Sequence, residues 1–270
     1  MPDVLRSGVL GELEILECRP EIETTRPALL FVHGAFAGAW IWAEHFLPHF
    51  AARGFPAYAL SLRGHGASHG RDGLAWHSLT DYVDDLETAI DALAEAPVLV
   101  GHSMGAVVVM KYLERAHAPA AALLAPVPPH GLLPASFTLA LSQPSLFAEL
   151  NALLGSGEAS LEALHKALFA GPMPAEKLLA YHRRFQSESP RAIWDLTLFD
   201  LPQTWRMRRP PMLVLLAERD ALFPLGQSQT AFAAIGLRTE VLEELGHAVM
   251  LEPGWQRAAD RLIHWLTGVE

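Results

Sequence analysis

Gly101-His102-Ser103-Met104-Gly105 is the stretch on which the reading of this chain turns. It follows the short apolar run Pro97-Val98-Leu99-Val100, which reads as a strand, and leads into Ala106 to Arg115, which reads as a helix. A small-x-Ser-x-small pentapeptide in that setting marks a tight strand-to-helix turn of the nucleophile-elbow kind. The turn forces the serine into strained backbone angles and projects its hydroxyl out of the sheet. Bulky residues at the two glycine positions would collide with the adjoining strand and helix. Gly-x-Ser-x-Gly alone occurs by chance in many proteins, so the flanking elements and the downstream residues decide its weight.

Working outward, apolar runs and helical patterns alternate along the chain. Leu13 and Ile15 alternate with Glu12 and Glu14, as in a half-exposed strand. Ala28 to Val32 is a continuous apolar run ending at His33-Gly34, the pattern of a buried parallel strand. A helix over Trp42 to Arg53 and a strand over Ala57 to Leu62 follow, then the glycine-rich loop Arg63-Gly64-His65-Gly66. Between residues 79 and 93 the apolar spacing predicts a helix, with Ser78 and Asp81 as a capping box. Beyond the elbow, Ala120 to Ala125, Met212 to Ala217 and Glu240 to Leu245 read as strands, and Pro253 to Leu266 as a closing amphipathic helix. Between Pro126 and Pro210 the alternation stops; that stretch carries Leu, Phe, Trp and Met at helical spacing with proline and glycine punctuation. The expected fold is α/β: a mostly parallel twisted sheet flanked by helices on both faces, with a helical insertion between two strands.

The bulk numbers agree with one large domain. At 270 residues, 51% hydrophobic and 19% charged, the chain can bury a sizeable core and is not of disordered composition. A net charge of -10 argues against nucleic acid, whose phosphates call for a basic surface. Cys18, the single cysteine, excludes an internal disulfide and a cysteine-based zinc site. Met1-Pro2-Asp3-Val4 lacks a signal-peptide pattern and no apolar run approaches membrane-spanning length. A soluble, cytoplasmic protein with no stable membrane insertion is the expectation; oligomeric state is left open.

Serine is a poor nucleophile alone, so Ser103 needs a base to take its proton and an acid to orient that base. Candidates occur at later strand ends. Met212 to Ala217 runs into Glu218-Arg219-Asp220, and Gly246-His247-Ala248 follows the last strand. His33-Gly34-Ala35-Phe36, Gly101 to Gly105, Glu218-Arg219-Asp220 and Gly246-His247 together resemble the motifs of the α/β-hydrolase superfamily, over nearly the whole length. The resemblance implies a triad of Ser103, Asp220 and His247, with Asp220 preferred to Glu218. It implies oxyanion donors at the N–H of Met104 and of Ala35, or else Phe36. It makes residues 128–207 a cap between the core segments 1–127 and 208–270. His33-Gly34-Ala35 departs from the three-glycine version of its loop and disfavours the lipase and esterase branch carrying it.

Phe36, Val249, Met250, Phe137, Phe147 and Trp194 are expected to line the substrate pocket. His102 sits at the wrong position to activate Ser103 and reads as a packed core residue, and His33 as a brace for its loop. His65, His69 and His77 with Asp72 fit no usual ligand spacing, so no metal is expected, and the implied chemistry needs no cofactor. The expected activity is carboxylesterase action on small-molecule esters with small-to-medium apolar acyl groups. Carbon–carbon, lactone, thioester and amide cleavage use the same residues and stay open, as do perhydrolysis and a non-catalytic ligand-binding role.

Overall fold

The computed structural model describes residues 6–156 and 160–269; the opening Met1-Pro2-Asp3-Val4 lies outside them. Eight strands form one sheet: β1 (Arg6–Leu10), β2 (Leu13–Cys18), β3 (Leu29–Val32), β4 (Ala57–Leu60), β5 (Val98–His102), β6 (Ala121–Leu124), β7 (Met212–Ala217) and β8 (Glu240–Leu242). Their order is β1-β2-β4-β3-β5-β6-β7-β8, antiparallel from β1 through β2 to β4 and parallel from β4 onward. Among the described residues the first helices are α1 (Trp40–Ala43), α2 (Phe46–Ala51), α3 (Leu79–Asp91), α4 (Met104–Arg115) and α5 (Leu133–Ser142). After them come α6 (Pro144–Ser156), α7 (Leu161–Leu168), α8 (Ala175–His182), α9 (Pro190–Trp194), α10 (Leu225–Ala234) and α11 (Gln256–Val269).

Alternation along the strands builds two cores. Leu29, Phe31, Val98, Val100, Leu213 and Leu215 face one side with α1, α2 and α11. Leu30, Val32, Leu60, Leu99, Leu123 and Val214 face the other with α3, α4 and Phe232 of α10. Both faces are therefore dry, which is why these strands read as unbroken apolar runs rather than alternating ones.

Three details differ from the sequence reading. The helix expected over Trp42 to Arg53 is two short helices, α1 and α2. Pro48 has no N–H to offer the carbonyl of Glu44, and its ring crowds that carbonyl, so the helix cannot run through. β1 has no counterpart in the sequence reading; it pairs with β2 through a two-residue turn in which Gly11 takes φ 64°. Helix α10 is likewise absent from the sequence reading, because Ser228, Ala231 and Phe232 make a buried face of mostly small residues with a weak periodic signal.

Between β6 and β7 the described residues hold α5 to α9 and a π-type turn, Asp195–Phe199, with no strand. Local chemistry sets their starts: Ser160 and Ser189 accept the N–H groups of Ala163 and Ala192, capping α7 and α9. The capping box at α3 is present, Ser78 and Asp81 each accepting the other's N–H. Among the described residues, no helix is long and apolar enough to cross a membrane.

Candidate active site

The loops at the carboxyl ends of β3, β5, β7 and β8 converge on one point. Ser103 follows β5 with φ 52° and ψ −116°, the strained turn expected of the pentapeptide. A Cβ on Gly101 would lie 2.5 Å from the Gly105 carbonyl oxygen, and one on Gly105 would overlap the carbonyls of Val32 and His33. Both positions exclude a side chain for that reason.

His247 Nε2 lies 3.0 Å from Ser103 Oγ, and His247 Nδ1 lies 2.8 Å from Asp220 Oδ2. The other carboxylate oxygen, Oδ1, accepts the N–H groups of Leu222 at 2.8 Å and Phe223 at 3.0 Å. The imidazole and the carboxylate are buried, and the Phe223 ring meets the imidazole edge-on at 5.3 Å. Glu218, the competing acid, points elsewhere: it accepts the Glu244 N–H at 2.8 Å. The fold thus draws Ser103, Asp220 and His247, successively 117 and 27 residues apart along the chain, into one hydrogen-bonded line.

The two accessory histidines are neutral braces. His33 accepts the Leu62 N–H at Nε2 and donates from Nδ1 to the Gly34 carbonyl; burial pushes its pKa down to about 3. His102 donates from Nε2 to the His247 carbonyl at 2.9 Å, fixing the histidine loop, and burial holds it well below its ordinary value. Its ring also packs where a Cβ on Gly34 would be.

The backbone donors sort themselves by what they already bind. Phe36, with φ 64°, donates its N–H to Glu188 Oε2 at 3.2 Å. The N–H groups of Met104 and Ala35 have no acceptor among the described residues. Ala35 and Met104, whose N–H groups are uncommitted, line the same cavity as Ser103, whereas the N–H of Phe36 is already occupied.

A cavity of about 810 Å³ opens on Ser103 and His247 and is walled mainly by aliphatic and aromatic side chains of the insertion. Phe36, Met250, Phe147 and Trp194 line it. Val249 and Phe137 do not. Val249 is fully buried in the core beside α11, turned away between Ala248 and Met250, which do reach the cavity. Phe137 is 67% exposed. The buried Ala135 and Leu139 of α5 set the inward face, and a residue midway between them lies on the opposite side of a 3.6-residue helix. Ile41, Leu132, Leu139, Leu164 and Leu222 line the cavity too. In sequence they are indistinguishable from ordinary core positions.

Glu188 is a buried carboxylate of the site that no sequence motif marks. It lies between α8 and α9, fully buried, with its Oε2 3.1 Å from His65 Nε2. Tyr82 donates its hydroxyl at 2.6 Å and Ser189 its N–H at 2.7 Å to Oε1. Burial alone would raise its pKa, but the His65 charge and these donors bring it down to about 2. His65 also donates from Nδ1 to the Arg63 carbonyl, so both ring nitrogens are donors; burial opposes that charge and the Glu188 carboxylate outweighs it, raising the pKa. Nothing local announces this pairing, since the partners lie 123 residues apart.

Fold and site together define a hydrolase built on a doubly covered parallel sheet. The alpha/beta hydrolase family model matches residues 29–260, and the chain belongs to that family. A monoacylglycerol lipase of Mycolicibacterium smegmatis is 26% identical over 258 residues, covering 89% of this chain and 88% of that protein. The crystal structure of a putative lipase from Acinetobacter baumannii AYE superposes with a TM-score of 0.76 at 19% identity, covering 98% of this chain and 91% of that one. Epoxide hydrolase A from Mycobacterium thermoresistibile superposes with a TM-score of 0.73 at 21% identity, covering 100% and 99%. A fold shared with a putative lipase and with an epoxide hydrolase does not by itself fix the reaction.

Proposed function

We propose that this hydrolase cleaves carboxylic esters of apolar acyl groups through an acyl-enzyme on Ser103. The observation that carries the reading is the Ser103–His247–Asp220 line opening on an apolar cavity beside two uncommitted N–H donors. His247 removes the Ser103 proton as Oγ attacks the ester carbonyl, and Asp220 stabilises the imidazolium that forms. The oxyanion takes hydrogen bonds from the N–H groups of Met104 and Ala35. His247 then protonates the leaving alcohol, and water that it activates releases the acid.

Residues 128–207 act as the cap that selects the acyl group, over a core of 1–127 and 208–270. A cavity of about 810 Å³ is near the upper end of small-molecule sites, roughly 300–1,000 Å³. The monoacylglycerol lipase relative supports an ester of a single acyl chain.

Fluorophosphonate labelling located by mass spectrometry, with turnover of a panel of p-nitrophenyl esters, tests this. An adduct on Ser103 and ester turnover lost in Ser103→Ala are the expected results. Efficient diketone cleavage with negligible ester turnover overturns the ester assignment. An intact protein that takes no label is not a serine hydrolase.

A further inference from the structure

The segment between α8 and α9 grips the loop that follows β3. The Phe36 carbonyl accepts the Gln186 N–H at 2.9 Å, and the Phe36 N–H donates to Glu188 Oε2 at 3.2 Å. The Gln186 side chain reaches in the same direction, donating to the Gly64 carbonyl at 2.9 Å and accepting the Gly66 N–H at 3.1 Å. Phe36 is thus bound on both sides of its backbone by residues 186 and 188, while its φ of 64° is left-handed. A non-glycine residue persists there only when its surroundings over-determine it.

We infer that Glu188, although carried by the insertion, is a positioning residue of the oxyanion site, holding Phe36 so that the neighbouring Ala35 N–H faces the carbonyl attacked by Ser103. This rests on the nucleophilic role proposed for Ser103. Four donors surround the Glu188 carboxylate: Phe36 N–H and His65 Nε2–H on Oε2, Tyr82 O–H and Ser189 N–H on Oε1. Only an ionised carboxylate accepts all four, and His65 supplies the countercharge. A glutamine has one acceptor oxygen. With that oxygen kept by Tyr82 and Ser189, its NH₂ confronts the Phe36 N–H. His65 can adapt by losing a proton, whereas a backbone N–H cannot. Phe36 is then pushed off and the Ala35 donor loses its aim.

The test compares wild type, Glu188→Gln and Tyr82→Phe, with active sites counted by fluorophosphonate titration so that only folded enzyme is scored. Removing an oxyanion donor outright costs about 10²–10³ in kcat, and misdirecting one is expected to cost about 10- to 100-fold. In Glu188→Gln, kcat falls by that factor with KM changed less than about threefold, and affinity for a trifluoromethyl ketone falls in step with kcat/KM. Tyr82→Phe, which touches only Oε1, loses stability but keeps kcat per active site and ketone affinity. A Glu188→Gln enzyme with unchanged kcat and ketone affinity per site overturns the proposal, and an unlabelled wild type without ester turnover overturns both readings. Should Glu188→Gln not fold, wild type alone decides by amide NMR. On ketone binding, the Ala35 N–H resonance is expected to move downfield while that of Phe36 holds still, and the reverse refutes the assignment.

Discussion

Replacing Asp220 by asparagine isolates what the carboxylate does. Its Oδ1 is already held by the N–H groups of Leu222 and Phe223, at 2.8 and 3.0 Å. An asparagine therefore keeps its oxygen there and turns its NH₂ toward His247 Nδ1, where Oδ2 now sits at 2.8 Å. Two donors cannot face each other, so Nδ1 gives up its proton and Nε2 carries one instead. Nε2, 3.0 Å from Ser103 Oγ, then donates to the hydroxyl it has to deprotonate. The wrong tautomer, with no anion beside the imidazolium, is worth about 10⁴ in kcat, or about 5 kcal/mol of transition-state stabilisation. The fold keeps its hydrogen bonds, so the melting temperature is expected to move by no more than about 4 °C. Initial rates on p-nitrophenyl butyrate, normalised to titrated sites, and melting by circular dichroism provide the measurements. Glu218→Gln is the control: its carboxylate serves the Glu244 N–H, and its loss of activity stays within about threefold because it stabilises no reacting charge. Asp220→Asn above a tenth of wild-type activity, or Glu218→Gln falling as far as Asp220→Asn, would show that the acid has been assigned wrongly.

Three further outcomes are expected. Leu139→Trp fills part of the cavity; on a p-nitrophenyl ester series, kcat/KM for long acyl chains falls about tenfold or more relative to acetate, and an unchanged profile would place the acyl chain elsewhere. Gly101→Ala puts a methyl 2.6 Å from the Ala106 Cα and costs about 3 kcal/mol or more in urea denaturation, whereas Gly171→Ala, with nothing within 4 Å, is near neutral. Stability declines as pH falls from 6.5: His33 binds its proton only near pH 3 when folded but near 6.5 when unfolded, so protons favour the unfolded chain. That site alone removes about 2 kcal/mol between pH 6.5 and 5, with His102 adding in the same direction. Urea midpoints that stay level over that interval would contradict the neutral, buried state of both rings.

Legibility in the sequence followed the range of the forces involved. The parallel strands declared themselves because burial on both faces demands an unbroken apolar run, and the elbow because Gly101 and Gly105 answer to atoms only a few residues or one strand away. Asp220 and His247, the partners proposed for Ser103, are legible only through the family's motif order, since spacing alone leaves Glu218 open. The pocket was harder. Phe147 and Trp194 reach it, but Phe137 of the same insertion faces out, because inward and outward aromatic residues differ only by helix phase and α5 is apolar on most sides. Glu188 gave no signal, since a buried carboxylate is recognised by its donors, and Phe36, His65 and Tyr82 lie 106 to 152 residues away.

The strained backbone clusters with the chemistry. The four described non-glycine residues with positive φ are Phe36, Ser103, Ala125 and Glu244, each just beyond the carboxyl end of a parallel strand. Each has its own restraint. Ser103 donates its N–H to the Leu124 carbonyl, and Ala125 donates to that of Leu215. Glu244 has its N–H on Glu218 and its carboxylate on Arg257. Three of these restraints come from the sheet, its own loops and α11, whereas Phe36 alone is held by the insertion. The insertion therefore carries two separable functions. Its helices α5 to α7 wall the cavity and, on the function proposed above, select the acyl group, while residues 186 to 188 hold Phe36 and, on the inference drawn above, aim the neighbouring Ala35 N–H. Substitutions in those helices should change the ranking of substrates at similar peak rates. Substitutions at Glu188 should lower every rate by a similar factor and leave the ranking alone, because each ester presents the same oxyanion to the same N–H. A helix substitution that depressed all substrates equally, or a Glu188 variant that reordered them, would show that specificity and catalysis share one set of contacts.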